Sequence, residues 1–189
     1  MGSLEAPIAV LFVQGAGERA HDVDRALADA LGRTLGDRFR VVFPRLPGEA
    51  DPDAAVWKET IAAEARRAKA AVVVAHSAGA ANVADMLAEG RYGTDLPRLR
   101  GVFLLAPPFI GPGGWSLDGF HLDQPTSRAA LHGLPLHLYF GSADQTVPPA
   151  HAALYERVFP DATFHHLEGC DHQFAGYLPR VAQDVLKLA

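Results

Sequence analysis

The sequence is poor in cysteine, methionine and tryptophan, with one, two and two among 189 residues. A lone cysteine, Cys170, excludes a disulfide framework within the chain and suits a reducing, cytoplasmic setting. Charge of one sign is scarce too. Lys and Arg number 17 against 22 Asp and Glu, a formal net charge of −5 with no basic run. Nucleic-acid binding through a basic face is therefore not expected. No apolar run approaches the roughly 20 residues that a membrane-spanning helix needs. The early run IAVLFV is short and no basic segment leads into it, so neither a secretion leader nor a membrane anchor is expected. Repeats and low-complexity linkers are missing as well.

What is present is a chain 49% hydrophobic and 21% charged, enough for one compact domain over residues 1–189. Strand-like runs fall at Ile8–Val13, Arg40–Phe43, Ala71–Ala75, Val102–Ala106, Leu136–Phe140 and Thr163–Leu167. The first, third and fourth are apolar on both faces, as strands covered by helices on two sides must be. Between the runs lie helical patterns: Val23, Leu27, Leu31 and Leu35; Trp57, Ile61, Ala65 and Ala68; then Asn82–Glu89, His151–Phe159 and a closing stripe from Leu178 to Leu188. Alternation of this kind predicts an α/β fold, a three-layer α/β/α sandwich around an open, mainly parallel six-stranded sheet. Residues 107–133 break the rhythm. They are rich in Pro and Gly and carry Phe109, Trp115 and Phe120, and a connection this long is usually functional. We read it as a short cap over the strand ends.

Ligands of open parallel sheets bind beyond the C-terminal ends of the strands. Those ends carry Gln14-Gly15-Ala16-Gly17, His76-Ser77-Ala78-Gly79, Gly141-Ser142-Ala143-Asp144 and Gly169-Cys170-Asp171-His172. A serine, an aspartate and a histidine thus open on one sheet edge. A serine hydroxyl needs a neighbouring base to become a nucleophile. Histidine can take that proton and return it to a leaving group. A carboxylate on the other ring nitrogen fixes the tautomer and stabilises the imidazolium. Ala75-His76-Ser77-Ala78-Gly79 has the small-x-Ser-x-small form of a nucleophile elbow. Ala78 N–H opens the following helix and Ala16 N–H lies in the loop after the first strand, so these two are the expected oxyanion donors. Gly15 and His21 are expected to line the pocket beside them, and Phe109, Trp115 and Phe120 to supply its apolar part.

The motifs AHSAG, GSADQTVP and GCDHQF, with QGAGERAHD near the start, resemble the α/β-hydrolase superfamily. Within it the chain is similar to the small serine hydrolases related to retinoblastoma-binding protein 9. The likeness spans nearly the whole chain. It implies Ser77 as nucleophile, Asp144 as acid and His172 as base, with no cofactor. It also implies a compact form of the fold without the two antiparallel strands that open larger members. Gln14-Gly15 stands where many hydrolases have His-Gly, and Ala75 replaces the usual first glycine of the elbow. The reading is a serine hydrolase of a small ester or related acyl compound, with that substrate and water as partners. Amide, thioester or cofactor-free haloperoxidase chemistry on the same residues is the alternative, as is a non-catalytic protein-interaction module.

Rival motifs are weaker. Gly15-Ala16-Gly17-Glu18-Arg19-Ala20 fits a dinucleotide fingerprint, but the second strand ends in Phe43-Pro44-Arg45-Leu46 with no acid for a ribose, and Glu18 would repel a pyrophosphate. His165 and His166 beside Asp171 and His172 might be taken for a metal cluster, but adjacent strand residues face opposite ways, so no metal is expected. Cys170 reads as a passive small residue and His76 as part of the turn's shape.

Overall fold

The computed structural model describes residues 6–120 and 122–189; the leader reading at residues 1–5 lies outside them. Six strands form one sheet: β1 (Ile8–Val13), β2 (Phe39–Val42), β3 (Val72–His76), β4 (Gly101–Leu105), β5 (Leu136–Gly141) and β6 (Thr163–Leu167). Their order is β2-β1-β3-β4-β5-β6 and every pairing is parallel. Each strand lies within a residue of its expected position.

Alternation along the strands divides the core. Leu11, Val13, Val73, Ala75, Leu104 and Leu138 face one side and meet α2 (Ala54–Ala68), α3 (Ser77–Ala88) and α4 (His151–Val158). Val10, Phe12, Val72, Val74, Phe103 and Tyr139 face the other and meet α1 (Ala20–Leu35) and α5 (Leu178–Leu186). These are the three expected layers. Among the described residues, no helix is long and apolar enough to cross a membrane.

Two helices differ from the pattern read in the sequence. In α1 the buried stripe runs Ala20, Asp24, Leu27, Ala28, Leu31 and Leu35, while Val23 is 50% exposed. A spacing of four residues advances about 40° beyond a full turn at each step, so a strict i+4 series walks off the buried face. The apolar pattern of the third helix begins at Asn82, but the helix itself starts at Ser77, because the chain enters it directly from β3.

Residues 107–133 lie against the α2, α3 and α4 side. Lys58, buried, donates from Nζ to Gly119 O at 2.8 Å and pairs with Asp85 and Glu89. Thr126 N–H donates to Val158 O at 2.6 Å, and Tyr155 Oη–H to Pro108 O at 3.0 Å. The segment thus seals the core beside α4.

Candidate active site

The strand order reverses direction at β1 and β3, which opens a crevice between the loops that follow them. The two loops touch there. A Cβ on Gly15 would sit 3.1 Å from Ser77 Cβ, and one on Gly79 would lie 2.2 Å from Gln14 O. Glycine at both positions is what lets the loops close up. Ser77 itself has φ 51°, a left-handed backbone that is costly for a residue with a Cβ. That turn lifts its hydroxyl out of the strand end while α3 begins behind it.

The three residues read from the sequence meet at this edge. His172 Nε2 lies 3.0 Å from Ser77 Oγ, and His172 Nδ1 lies 2.8 Å from Asp144 Oδ2. The Asp144 contact keeps the proton on Nδ1 and leaves Nε2 a lone pair facing the serine. Asp144 Oδ1 accepts Thr146 N–H and Val147 N–H, each at 2.8 Å. Burial raises the Asp144 pKa, but the His172 and backbone hydrogen bonds outweigh it and hold the carboxyl below the usual carboxylate range. A cavity of about 270 Å³ surrounds Ser77 and His172, with Gly15, Ala16, Gly17, Thr146 and Gln173 among its walls.

A second carboxylate–histidine pair underlies the first, and the sequence reading missed it. His76 is buried, with Nδ1 at 2.9 and 3.0 Å from the two oxygens of Asp24 and Nε2 at 2.8 Å from the carbonyl oxygen of His172. Both neighbours are acceptors, so both ring nitrogens are placed to donate, an arrangement that favours the imidazolium form. Burial works against that charge, yet the Asp24 hydrogen bond and its field win and raise the His76 pKa. Asp24 Oδ2 also accepts Gly15 N–H at 2.7 Å. One buried pair therefore ties together α1, the β1 loop, the β3 turn and the loop carrying His172. Farther out, Gln14 donates to Glu49 at 2.9 Å and accepts Leu46 N–H at 2.9 Å, clamping the β1 loop to the chain after β2. Gly17 N–H donates to Glu49 O at 2.6 Å.

Other expected pocket residues are placed elsewhere. His21 is buried with its ring stacked on Phe43 at 4.3 Å and does not line the Ser77 cavity. Phe109 is buried against Tyr155, Trp115 lies edge-on to His151, and Phe120 lies beneath Lys58 Nζ. None of the three borders that cavity. Their apolar character serves the packing of residues 107–133 onto α2 and α4. Cys170 is buried and its thiol is pushed up to about 12 by burial, with the Asp171 and Asp144 carboxylates adding to it, so it stays protonated.

One group of described residues has metal-ligand geometry: His137, His165 and Asp184, whose ligand atoms all lie within 4.8 Å of one another. It unites β5, β6 and α5 on the α5 face of the sheet, with His137 at the start of its strand, away from Ser77. His165 and His166 do point apart, and it is His137 on the neighbouring strand that joins His165, at 3.0 Å. Asp184 already accepts Tyr139 Oη–H at 2.9 Å and Lys187 Nζ–H at 2.6 Å, so the cluster is satisfied as a hydrogen-bond network.

The fold and the crevice are those of an α/β hydrolase, and the comparisons agree. The serine hydrolase family model matches residues 29–173, and the chain belongs to that family. It is a hydrolase. No curated protein sequence matches the chain. Among solved structures, it is similar to the esterase domain of a Rhodothermus marinus protein, at 17% identity and TM-score 0.64, over 97% of this chain and 88% of that one. A metagenome-derived lipolytic enzyme matches at 17% identity and TM-score 0.66, over 99% and 95% of the two chains. A Thermus thermophilus protein, TT1662, matches at 23% identity and TM-score 0.60, over 97% and 88%. At these identities the likeness is one of fold.

Proposed function

We propose that the protein cleaves a small ester by an acyl-enzyme route in which Ser77 is the nucleophile, His172 the general base and Asp144 its orienting acid. The contact sequence Ser77 Oγ, His172 Nε2, His172 Nδ1, Asp144 Oδ2 is the observation that carries this reading. Ser77 Oγ attacks the carbonyl carbon as its proton passes to His172 Nε2. The tetrahedral intermediate collapses, the bond to the alcohol oxygen breaks, and His172 returns the proton to that oxygen. Water then attacks the acyl carbon with His172 again taking a proton, and Ser77 is released with its proton restored.

The developing oxyanion needs two donors. Ala78 is the second residue of α3, so its N–H is among the donors a helix start leaves unused. In the β1 loop, Gly15 N–H is committed to Asp24 and Gly17 N–H to Glu49. That leaves Ala16 N–H as the loop's donor for the substrate oxygen. A reducing, cytoplasmic compartment fits a chain whose lone cysteine can form no intrachain disulfide.

The test is Ser77→Ala against wild type on short p-nitrophenyl esters. Loss of kcat by about 10⁴–10⁶ is expected, and a loss under about tenfold removes Ser77 from the mechanism. A fluorophosphonate probe should label wild type and not Ser77→Ala. A folded wild type that takes no label supports a protein-interaction module instead. A panel of esters, thioesters and amides separates the bond types.

A further inference from the structure

An apolar groove adjoins the Ser77 cavity on its α1 side. This groove, of about 510 Å³, runs between α1 and the loop from β6 to α5. Val23 and Ala26 form one wall, and Phe174, Ala175 and Pro179 the other. Val23 and Gln173 belong to this groove and also to the Ser77 cavity, so the two spaces meet there. Gln173 directly follows His172. Arg33 and Thr34 close the far end. The eleven helical residues from Val23 to Arg33 span about 15 Å, room for an extended chain of about ten carbons.

We propose that this groove seats the hydrophobic chain of the substrate whose carbonyl lies at Ser77, which makes the substrate class medium-chain aliphatic esters. The inference rests on the proposed role of Ser77 for the position of the carbonyl. The binding of the chain itself does not require it. Three observations converge. The groove has the size and largely apolar lining of small-molecule sites. Val23, a large apolar side chain left 50% exposed at the junction, would be covered by such a chain. Phe109, Trp115 and Phe120 of residues 107–133, the other source of apolar contact, do not border the Ser77 cavity, whereas Val23 and Gln173 of the groove do. A chain entering past Val23 and Gln173 leaves the reacting carbonyl between Ser77 and His172.

Two measurements test it. The first compares p-nitrophenyl acetate with p-nitrophenyl decanoate, and ethyl acetate with decyl acetate, in wild type and Ala26→Trp. Ala26 is exposed on α1, so the variant should fold, with its indole filling the groove. Wild type should favour the longer chain in one of the two series, which tells whether acyl or alcohol occupies the groove. In Ala26→Trp, kcat/KM for that longer ester should fall about tenfold relative to its acetate partner, through KM. The same length preference in both proteins, or none in wild type, overturns the proposal. The second measures binding of 1-decanol to Ser77→Ala by calorimetry. Binding that Ala26→Trp abolishes in the same background supports the groove even where ester cleavage fails, and absent binding overturns it. Failure of the Ser77 reading shows separately, as absence of fluorophosphonate labelling.

Discussion

At the scale of single residues, the site is held by two unusual choices. Ser77 occupies a left-handed backbone that a Cβ makes costly, by roughly 1–2 kcal/mol. Ser77→Gly should therefore be at least as stable as Ser77→Ala in urea unfolding, although glycine normally loses to alanine at the start of a helix. A Gly variant less stable than the Ala variant would show that the turn is unstrained. The second choice is the Asp24–His76 pair. His76 has its pKa raised in the folded state, so the pair's stabilisation is complete below the unfolded value of 6.5 and is lost as pH rises through the folded value. Asp24→Asn should cost about 3–5 kcal/mol near pH ~6, the range for losing one partner of a buried pair. The cost should shrink as the pH is raised above the unfolded value and through the folded one, as His76 releases its proton in wild type too. A cost that does not change with pH, measured by urea unfolding, would mean that the ring is neutral. Neither residue announces this partnership in the sequence. An aspartate on a helix and a histidine at a strand end, 52 positions apart, are each ordinary. The meeting of Ser77, His172 and Asp144 was legible because each sits in a recognisable turn motif, whereas Asp24 sits in none.

At the scale of elements, strands were easier to read than helices. Runs such as VVVAH are buried on both faces and rich in β-branched residues, so they stand out in the composition itself. The start of α3 was readable only from the elbow motif, because Ser77, Ala78, Gly79, Ala80 and Ala81 carry no apolar periodicity. Their small size answers to the close passage of the β1 loop. The aromatic residues of 107–133 were misleading for a related reason. A Trp or Phe in a long loop signals burial, but which surface buries it depends on how the loop docks. The docking here turns on Lys58, a buried ammonium that reaches Asp85, Glu89 and the carbonyl of Gly119. Lys58→Ala should destabilise the protein by about 3 kcal/mol and speed amide hydrogen exchange within residues 107–133. Unchanged exchange in that segment would place its anchorage elsewhere.

At the scale of the whole molecule, the single cysteine offers a reporter of global opening. Cys170 is buried and its thiol is pushed up to about 12, so the native protein should resist thiol-specific reagents at neutral pH. Reaction should become fast and complete in denaturing urea. Native-state labelling as fast as that of a free thiol would indicate independent opening of the loop that bears His172. The overall architecture was the most legible level of all, since alternating strand and helix patterns leave few topologies open. The metal-like cluster of His137, His165 and Asp184 was not, because it depends on the pairing of β5 with β6 and the seat of α5. That all-parallel pairing also bears on how the chain assembles. No two neighbouring strands are linked by a tight turn, so each pairing must await closure of a long loop, which slows folding. Between β4 and β5 the described residues of the connection form no helix. As the chain emerges from the ribosome, Ser77 is already mounted while the open edge of β4 still waits for the half-sheet that brings Asp144 and His172. Until β5 arrives, that edge is a template for any stray strand, and speed of closure at residues 107–133 becomes a matter of yield as well as of structure.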